Sequence, residues 1–527
     1  MKRRRFIKSM GALGATMAAP QIFTNKAFIK KAHATASIND SNVIFPNVRP
    51  QVINIFMYGG PSELAGNLTN ISEITANSQN PYPSGVIALN NNGNGGKITP
   101  NGFWGEDDGV FDPNPNNHNG AGGGEMEAML AEGHMSIYRT INRLKANTRA
   151  HRNSIHTSQK GALDFEVSGG MGTKLALVLA HNDAAFESQY GKSVRDLILP
   201  FASFEGDTTA LAVDSNNPLN ILNLKGISLD TNLSNPYTRS GNGNAMAAKI
   251  DALAEKISPS NRTDRYTKVV EQFSNRTKLE SLIDGFGAQL DVTPIIPTGA
   301  TEDLGPANEY GTIGGQVQYP DNGFADRLKA AVTLALNNPD SLFIAVGTGG
   351  LGGWDDHDNS IPKYEQRMRN LMKAMRAAML HIQYAGDARN ATADAQGLIA
   401  DVAGRQTDNI IINIHGDFGR NVNLNGSMGW DHGNNQNLYT FGGAAVRPAG
   451  ALGKVVGKTE RIGSPGQNRQ WTNPTDDSYQ AEPMSIASSV YAYFGVQNPE
   501  VLTSDLNINP SGDPKIDETV AGEPTLF

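Results

Sequence analysis

Short apolar runs that end in glycine or in ionisable residues restrict the fold of this chain more than any other feature. Gln51–Tyr58 (QVINIFMY) leads directly into Gly-Gly-Pro-Ser, and Leu342–Val346 and Asn409–Ile414 are also followed by glycine and charged side chains. Met135–Arg139 and Leu197–Phe204 are similar runs. Apolar segments of this length, bounded by turn residues, are typical of buried strands.

Segments with helical periodicity separate these runs. Phe324–Asn337 is amphipathic, and apolar residues recur at helical spacing from Tyr364 to Ile382. Glu125–Glu132 and Met484–Phe494 are further predicted helices. Strands that alternate with helices predict an α/β fold with a mainly parallel central sheet flanked by helices. Ligands of such folds bind outside the carboxyl ends of the strands, so the polar residues that follow the strands are candidate site residues.

Two long regions interrupt this alternation. Residues 77–124 are dominated by Asn, Gly and Pro, which predicts a long irregular loop insertion. Residues 205–300 contain two predicted helices, Ala245–Ile257 and Thr263–Ile283, between polar loops. We expect the second region to be an insertion or cap within a single domain that spans residues 35–527.

The first 34 residues contain the three parts of an export signal in order. Arg3 to Lys8 (RRRFIK) fits the twin-arginine pattern, a weakly apolar stretch follows from Met10 to Phe23, and Ala32-His33-Ala34 is an A-x-A-like cleavage site. We therefore expect a twin-arginine signal peptide, the twin-arginine translocase as a partner during export, and a periplasmic or secreted mature protein. Export of an already folded chain favours a cofactor that is loaded beforehand.

Charge and cysteine content exclude several classes of protein. The predicted signal holds eight Lys and Arg residues and no Asp or Glu, so its removal takes the formal net charge from −8 to −16. Such an acidic protein is not expected to bind nucleic acid, because phosphates need a basic surface. Cysteine is absent, so a metal must be held by His, Asp, Glu or Asn. No other run is apolar enough to span a bilayer, and we expect no transmembrane anchor in the mature chain.

A Gly-Gly-Trp-Asp-Asp-His motif after the Leu342–Val346 strand is the first candidate metal site. Asp355 and His357, two residues apart on an extended loop, can converge on one divalent ion. The alternative is an acidic cap at the start of the following helix. Trp354 and His357 are not needed for a cap, which favours the ligand interpretation.

A second candidate follows the Asn409–Ile414 strand. His415 and Asp417 come directly after it, and Asp431 and His432 follow a short Gly/Asn loop. Carboxylate and imidazole ligands suit Zn²⁺, Mn²⁺ or Fe rather than Ca²⁺. Arg420 is a candidate contact for an anionic oxygen. His415 alone is equally well explained as a buried histidine with satisfied hydrogen bonds.

A third candidate is the segment around His151. Thr148, Arg149 and His151 would supply a hydroxyl nucleophile, an anion-binding guanidinium and a metal ligand at the start of a helix. A solvated, capped helix N-terminus explains the same residues.

Together these motifs resemble a family of twin-arginine-exported bacterial proteins grouped as domain of unknown function 1501, which look like remote relatives of alkaline phosphatases and sulfatases. The GGPS at 59–62 and the R-x-H at 149–151 match in order along the chain. GGWDDH at 352–357 is similar to the family's GGWDTH, HGDFGRN at 415–421 to its SEFGR-x-x-x-N, and WDHG at 430–433 to its TDHG.

The resemblance implies a three-layer, alkaline-phosphatase-like α/β core with long loop insertions. It also implies one or two divalent metals at strand ends and a hydroxyl that attacks phosphorus or sulfur. Carried over residue by residue, the metal or site residues would be Asp355, His357, Asp417, Asp431 and His432, joined by His151. Thr148 and Ser62 would be the candidate nucleophiles.

Two departures from the superfamily pattern leave the activity open. An Asp usually ends the first strand, where this chain has Tyr58-Gly59-Gly60, and the usual Asp-His pair after the later strand is Asp417-Phe418. One expectation is therefore a metal-dependent hydrolase of small-molecule or polysaccharide phosphate or sulfate esters. The other is a non-catalytic metal- or polysaccharide-binding envelope protein on the same fold.

Overall fold

An eight-stranded sheet lies at the centre of the part of the chain described by the computed structural model. Its strands are β1 (Gln51–Met57), β2 (Met135–Asn142), β3 (Phe201–Ser203), β4 (Ile227–Ser228), β5 (Phe343–Gly347), β6 (Ile410–Gly416), β7 (Asn435–Gly442) and β8 (Val455–Val456). Their order is β4-β3-β5-β1-β6-β7-β2-β8. Only β7 runs against the other seven strands, which confirms the predicted mainly parallel α/β sheet.

The described residues are 38–61, 122–145, 148–234, 292–385 without 303 and 305–308, 407–421, 425–462 and 471–504, with isolated positions between 248 and 290. By backbone contacts they all belong to one unit, Ile38–Phe527, and the boundary with the preceding unit falls after Ser37. The predicted signal peptide lies outside the described residues. No helix among the described residues is both long and apolar enough to cross a bilayer.

Helices cover both faces of the sheet. They are α1 (Gly123–Ala131), α2 (His151–Lys160), α3 (Met171–His181), α4 (Asp183–Tyr190), α5 (Gly323–Asn337), α6 (Ser360–Ala385) and α7 (Pro483–Tyr493). Apolar residues of α1, α5 and α6 form a core with one face, and those of α3, α4 and α7 form a core with the other. The result is the expected three-layer arrangement, consistent with an alkaline-phosphatase-like core. Two further strands, β9 (Thr459–Ile462) and β10 (Trp471–Pro474), form a separate hairpin.

The central strands are mostly apolar because both of their faces are buried, and their few polar residues, such as Asn54 and Asn413, are buried as well. In β1, Ile53 and Ile55 face the core under α5 and α6, whereas Val52 faces the core under α3 and α7. In β6, Ile412 faces the core under α5 and α6, and Ile411 faces the core under α3 and α7. Successive side chains of a strand point to opposite faces, so a strand buried on both sides lacks polar alternation.

The register of the central strands assembles the candidate site. Phe56 of β1 pairs with Gly347 of β5 on one side and with His415 of β6 on the other. The three parallel strands therefore end level with one another. The segments that follow them, which begin at Gly59, Thr348 and Asp417, leave the sheet at the same edge.

Some predicted elements differ from the structure. The predicted strand Leu197–Phe204 is reduced to β3, since Leu199 has a positive φ of 52° and Pro200 has no N–H to donate. Residues 205–300 are not wholly an insertion, because β4 pairs with β3 at the edge of the central sheet. The predicted helix Ala245–Ile257 and most of the helix Thr263–Ile283 lie outside the described residues.

Several elements were not predicted from the sequence, among them α3 and β7. Helix α3 begins after two glycines and is buried along most of its length, so it lacks the polar face that marks an amphipathic helix. Strand β7 (NQNLYTFG) contains four polar residues that are buried by pairing between β6 and β2. Of the predicted loop 77–124, residues 77–121 lie outside the described residues. Helix α1 begins at Gly123, within the last part of this range.

We expect Ile412→Ala to lower the free energy of unfolding by about 2–5 kcal/mol, because it opens a cavity beneath a fully buried central strand. Denaturant unfolding followed by circular dichroism measures this change. Ile313→Ala is the matched control: its side chain is 53% exposed, and it should shift stability by less than about 0.5 kcal/mol. Equal losses in the two variants would contradict the assigned core.

Candidate metal centre

The candidate centre lies where the segments after β1, β5 and β6 meet the first turn of α2. His151 is the first residue of α2, and its helix begins after Ala150, whose backbone is extended. Gly59, with φ of +118°, lets the Trp354–Asp355 backbone approach closely: a Cβ at this glycine would lie 2.4 Å from the Asp355 nitrogen. A side chain at position 59 would push Asp355 away from the centre.

Three imidazoles surround one carboxylate oxygen. Oδ1 of Asp355 lies 2.9 Å from Nε2 of His357, 3.4 Å from Nε2 of His151 and 3.5 Å from Nε2 of His432. The Nε2 atoms of His357 and His432 are 3.1 Å apart. Ligand atoms of His151, Asp355 and His432 all lie within 4.8 Å of one another, which is close enough to share an ion.

Hydrogen bonds to the other ring nitrogens determine where the lone pairs point. Nδ1 of His151 lies 2.7 Å from Oδ2 of Asp417, and Nδ1 of His432 lies 2.8 Å from the carbonyl oxygen of Arg149. A carbonyl or an ionised carboxylate only accepts, so both Nδ1 atoms carry the proton. The two Nε2 atoms then present lone pairs towards Asp355, as in histidines that bind metals.

His357 is held in the same way by Asp431. Its Nδ1 lies 3.3 Å from Oδ1 of Asp431. Nδ2 of Asn425 donates to that same oxygen over 3.2 Å and to the His357 carbonyl over 3.1 Å, which ties the two segments together. Asp431 therefore lies behind His357, as Asp417 lies behind His151.

The donor set fits a divalent cation. The buried Nε2 of His151 has no hydrogen-bond partner. It faces the carboxylate oxygen of Asp355 and the second unprotonated nitrogen, on His432. Lone pairs that converge without a proton between them repel unless a cation lies among them. Imidazole nitrogens suit Zn²⁺ or Fe better than Mn²⁺ or Ca²⁺, which prefer oxygen ligands.

Arg420 supports the centre from behind and does not face solvent. Its side chain is fully buried, and it donates to the carbonyl oxygens of Gly60 (2.6 Å), Trp430 (2.9 Å), Gly59 and Trp354. A further bond of 2.6 Å reaches Oδ1 of Asp355. Its donors are thus engaged by the protein, and this placement differs from the predicted contact with a substrate anion.

Asp417, predicted as a metal or site residue, orients His151 from a fully buried position. Its Oδ1 accepts from the Gly59 N–H over 3.1 Å, and its carbonyl oxygen accepts from Arg143 over 2.7 Å. Both carboxylate oxygens are therefore used within the protein. Such second partners of metal-binding histidines fix ring orientation and increase ligand basicity.

Local charges act differently on the three ligands. The hydrogen bond to Asp417 raises the pKa of His151, which favours the imidazolium form, so a metal ion that binds Nε2 has to displace a proton there. Burial, together with the positive charge of Arg420, lowers the pKa of His432. Burial by itself would raise the pKa of Asp355, but the hydrogen bond and charge of Arg420 outweigh it and the net pKa is lowered. Asp355 is therefore ionised and His432 is neutral at neutral pH, as metal binding requires.

The aromatic ring of Phe418 closes one side of the centre. Its ring lies 4.7 Å from the ring of His151 and 4.4 Å from that of His432, between centroids, and a Cβ at Gly60 would collide with it. This side of the centre is therefore apolar. Among the described residues, His151, Asp355 and His432 form the one group with metal-ligand spacing.

His415 lies apart from this group, as a core residue of β6. Its side chain is fully buried, with Nε2 3.2 Å from Oδ1 of Asn54 and the ring edge-on to Phe56. Burial lowers its pKa to about 3, so the imidazole is neutral. This burial agrees with the buried-histidine interpretation, but Nδ1 of His415 has no hydrogen-bond partner within the part of the chain that the structure describes.

Of the two candidate nucleophiles, only Thr148 is among the described residues. Thr148 is half-buried, and its hydroxyl accepts from the Ala150 N–H over 3.3 Å. Ser62 lies outside the described residues. Arg149, beside Thr148, is also half-buried, and its guanidinium lies 3.4 Å from the carbonyl oxygen of His432.

Several supporting residues were not identified from the sequence. Asn425 acts through Asp431 and the His357 carbonyl, and Arg143 acts through the Asp417 carbonyl, so no local pattern marks their role. The glycines after β1 were visible as a motif, but their purpose was not: they admit the Trp354–Asp355 backbone and the Phe418 ring. A strand followed by consecutive glycines was the available signal.

We expect Asp417→Asn to lower the pKa of His151 towards its ordinary value of about 6.5 in metal-free protein, because the anionic hydrogen-bond acceptor is lost. Histidine NMR titration measures this pKa. The protonated pair adds stability that is fully present below the unfolded-state pKa and is lost as pH rises through the raised folded pKa. The part of the variant's stability deficit that comes from this pair should therefore shrink as pH increases.

Asp358→Asn is the control for that titration, since Asp358 is exposed and paired with Lys363 at 3.2 Å. It should leave the pKa of His151 unchanged. An unchanged pKa in Asp417→Asn as well would show that Asp417 does not set the protonation of His151.

The sequence matches no protein-family model and no curated protein sequence. The motif resemblance described above therefore stays a prediction. A function for this chain has to be argued from the geometry of the candidate centre.

Proposed function

We propose that the protein is an exported, metal-dependent hydrolase of phosphate or sulfate esters. The observation that carries the proposal is the convergence of two oriented imidazole lone pairs, from His151 and His432, on the carboxylate of Asp355. The centre lies at the carboxyl edge of a parallel sheet, where α/β proteins bind ligands. Asp355 and His357 are 46% and 44% exposed, so a substrate can reach it.

Zn²⁺ or Fe is the proposed ion, held by His151, His432 and Asp355, with His357 adjacent. When bound, it would polarise an ester oxygen and lower the pKa of an attacking water or hydroxyl. The protein's own contribution is orientation: Asp417 and the Arg149 carbonyl hold the Nδ1–H groups of the two histidines. Arg420 holds Asp355 in place.

The attacking group and the anion contact are assigned to the rim of the centre. Thr148 and Arg149 lie just before Ala150, the N-cap residue of α2, and both are partly exposed there. Arg149 is the candidate that binds the non-bridging oxygens of the ester, because its planar guanidinium suits a tetrahedral oxyanion. Thr148 or a water would attack. The twin-arginine motif supports export with the ion already bound.

We expect mature wild-type protein, purified without chelators, to contain near-stoichiometric zinc or iron. The double variant His151→Ala/His432→Ala should lose it, because Asp355 and His357 alone are too few ligands to retain the ion. Inductively coupled plasma mass spectrometry measures the metal content. His181→Ala, at an exposed position ending α3, is the control and should retain the metal. Metal-free, folded wild-type protein would refute the metal centre.

Ester turnover is the second test. Wild-type protein should hydrolyse at least one of p-nitrophenyl phosphate, bis(p-nitrophenyl) phosphate and p-nitrophenyl sulfate. We expect Asp417→Asn to lower kcat by about 10- to 100-fold, as for other residues that orient metal ligands. Asp358→Asn should match wild type in the same assay. Turnover that is undiminished by the loss of His151 and His432 would place the chemistry elsewhere.

A non-catalytic metal- or polysaccharide-binding protein is the second candidate. Two features favour it. In the superfamily that the motifs resemble, an Asp usually ends the first strand, where this chain has Tyr58-Gly59-Gly60. The Phe418 ring covers the side on which a second histidine would lie. It predicts bound metal without ester turnover. The metal and turnover measurements, taken together, separate the two functions.

A further inference from the structure

A pocket of about 690 Å³ opens at the same edge of the sheet, beside α2. It is lined by Tyr58 after β1, by Glu205 after β3, by Gly347 and Gly349 at the end of β5, and by one side of α2. Its volume falls within the range of about 300–1,000 Å³ that is usual for small-molecule sites. None of the residues of the candidate metal centre lines it.

The pocket and the metal centre share the elements that build them. Ile155 lines the pocket one helical turn after His151, and the two residues are therefore neighbours along α2. Tyr58 lines the pocket and directly precedes Gly59, whose N–H binds Asp417. A molecule in the pocket would thus lie next to the centre, so that a single substrate could occupy both sites.

The polar groups of the pocket are already matched in charge. Arg152 pairs with Glu166 at 3.0 Å, and Arg327 donates to the carbonyl oxygens of Gly323 and Gly349. With Arg152 paired to Glu166, the remaining charged groups of the lining besides Glu205 are Arg327 and Asp207, whose charges are opposite. The pocket therefore has no excess charge with which to neutralise an ionic ligand.

Glu205 and Tyr58 form a hydrogen-bonded pair in the lining. Glu205 shares hydrogen bonds with the hydroxyls of Tyr58 and Thr208, and Gln159 donates to the Tyr58 hydroxyl over 3.1 Å. Burial raises the pKa of Glu205, which favours a neutral carboxyl that both donates and accepts. Gly347 leaves room for it, since a Cβ there would lie 2.5 Å from a Glu205 oxygen.

We propose that this pocket binds a neutral, polyhydroxylated group such as a sugar ring, and that this group is the alcohol part of the ester. Hydroxyls donate and accept, as do the groups of the lining, whereas an ion would need unmatched charge. The Tyr58 ring and the Ile155 side chain offer apolar surface to the C–H face of a ring. That the sugar is part of an ester rests on the proposed hydrolase function, whereas the binding of a sugar by this pocket does not.

Binding is tested separately from turnover on the mature protein. Isothermal titration calorimetry is run with methyl α-D-glucopyranoside, methyl α-D-galactopyranoside and methyl α-D-mannopyranoside, and with glucosamine and glucuronate as charged probes. At least one neutral glycoside should bind more tightly than both charged sugars. The same glycoside should bind the His151→Ala/His432→Ala variant, because the pocket does not need the metal ligands.

Two variants locate the binding. Glu205→Gln loses the carboxyl, Ile155→Trp fills the pocket, and each should weaken the glycoside at least tenfold, which corresponds to about 1.4 kcal/mol. Glu187→Gln, an exposed position on α4, makes the same chemical change and should bind as wild type does. Thermal melting confirms that each variant is folded, and Ile155→Trp tests the pocket even if Glu205→Gln is destabilised.

Three results would overturn the proposal: binding of no neutral glycoside, preference for a charged sugar, or binding unaffected by both pocket variants. Glycoside binding in a protein that turns over no ester would retain the sugar pocket and remove the hydrolase function. Ester turnover without glycoside binding would retain the hydrolase function and remove the sugar pocket. Failure of the pocket and failure of the proposed function are therefore distinguishable.

Discussion

The buried guanidinium of Arg420 ties together the segments that carry the candidate centre. A cation out of contact with water is stable only if its donors are satisfied. Those donors reach carbonyl oxygens after β1, in the loop after β5 and in the loop before β7, and also Asp355. The position of Asp355 relative to the histidines depends on this one side chain.

The same hydrogen-bonding arrangement orients each of the three imidazoles of the centre. Each Nδ1 faces an acceptor, which is Asp417, Asp431 or a main-chain carbonyl, and each Nε2 faces Asp355. The acceptors come from different segments, so the orientation of the rings depends on the whole edge of the sheet. The neighbouring pocket uses the same edge, since α2 and the end of β1 contribute to both sites.

Local patterns were enough to predict the α/β class, the strands β1, β5 and β6, the helices α5 and α6, and the presence of candidate ligands at strand ends. They failed where the environment overrides the pattern. The polar strand β7 is buried between two neighbours, and the apolar helix α3 has no exposed face. The sequence predicted that Arg420 contacts an anion. Its burial could not be foreseen, because the residues that bury it lie more than fifty positions away or across a loop.

By itself, the sequence determined which ligand types are available and that they follow buried strands, because apolar periodicity and residue chemistry are local properties. Only the tertiary structure decided that His151, Asp355 and His432 meet, that Asp417 and Asp431 lie behind the histidines, and that His415 belongs to the core. The reason is the register of β1 with β5 and β6. It brings together residues that are more than two hundred positions apart in the chain, and no local pattern contains that pairing.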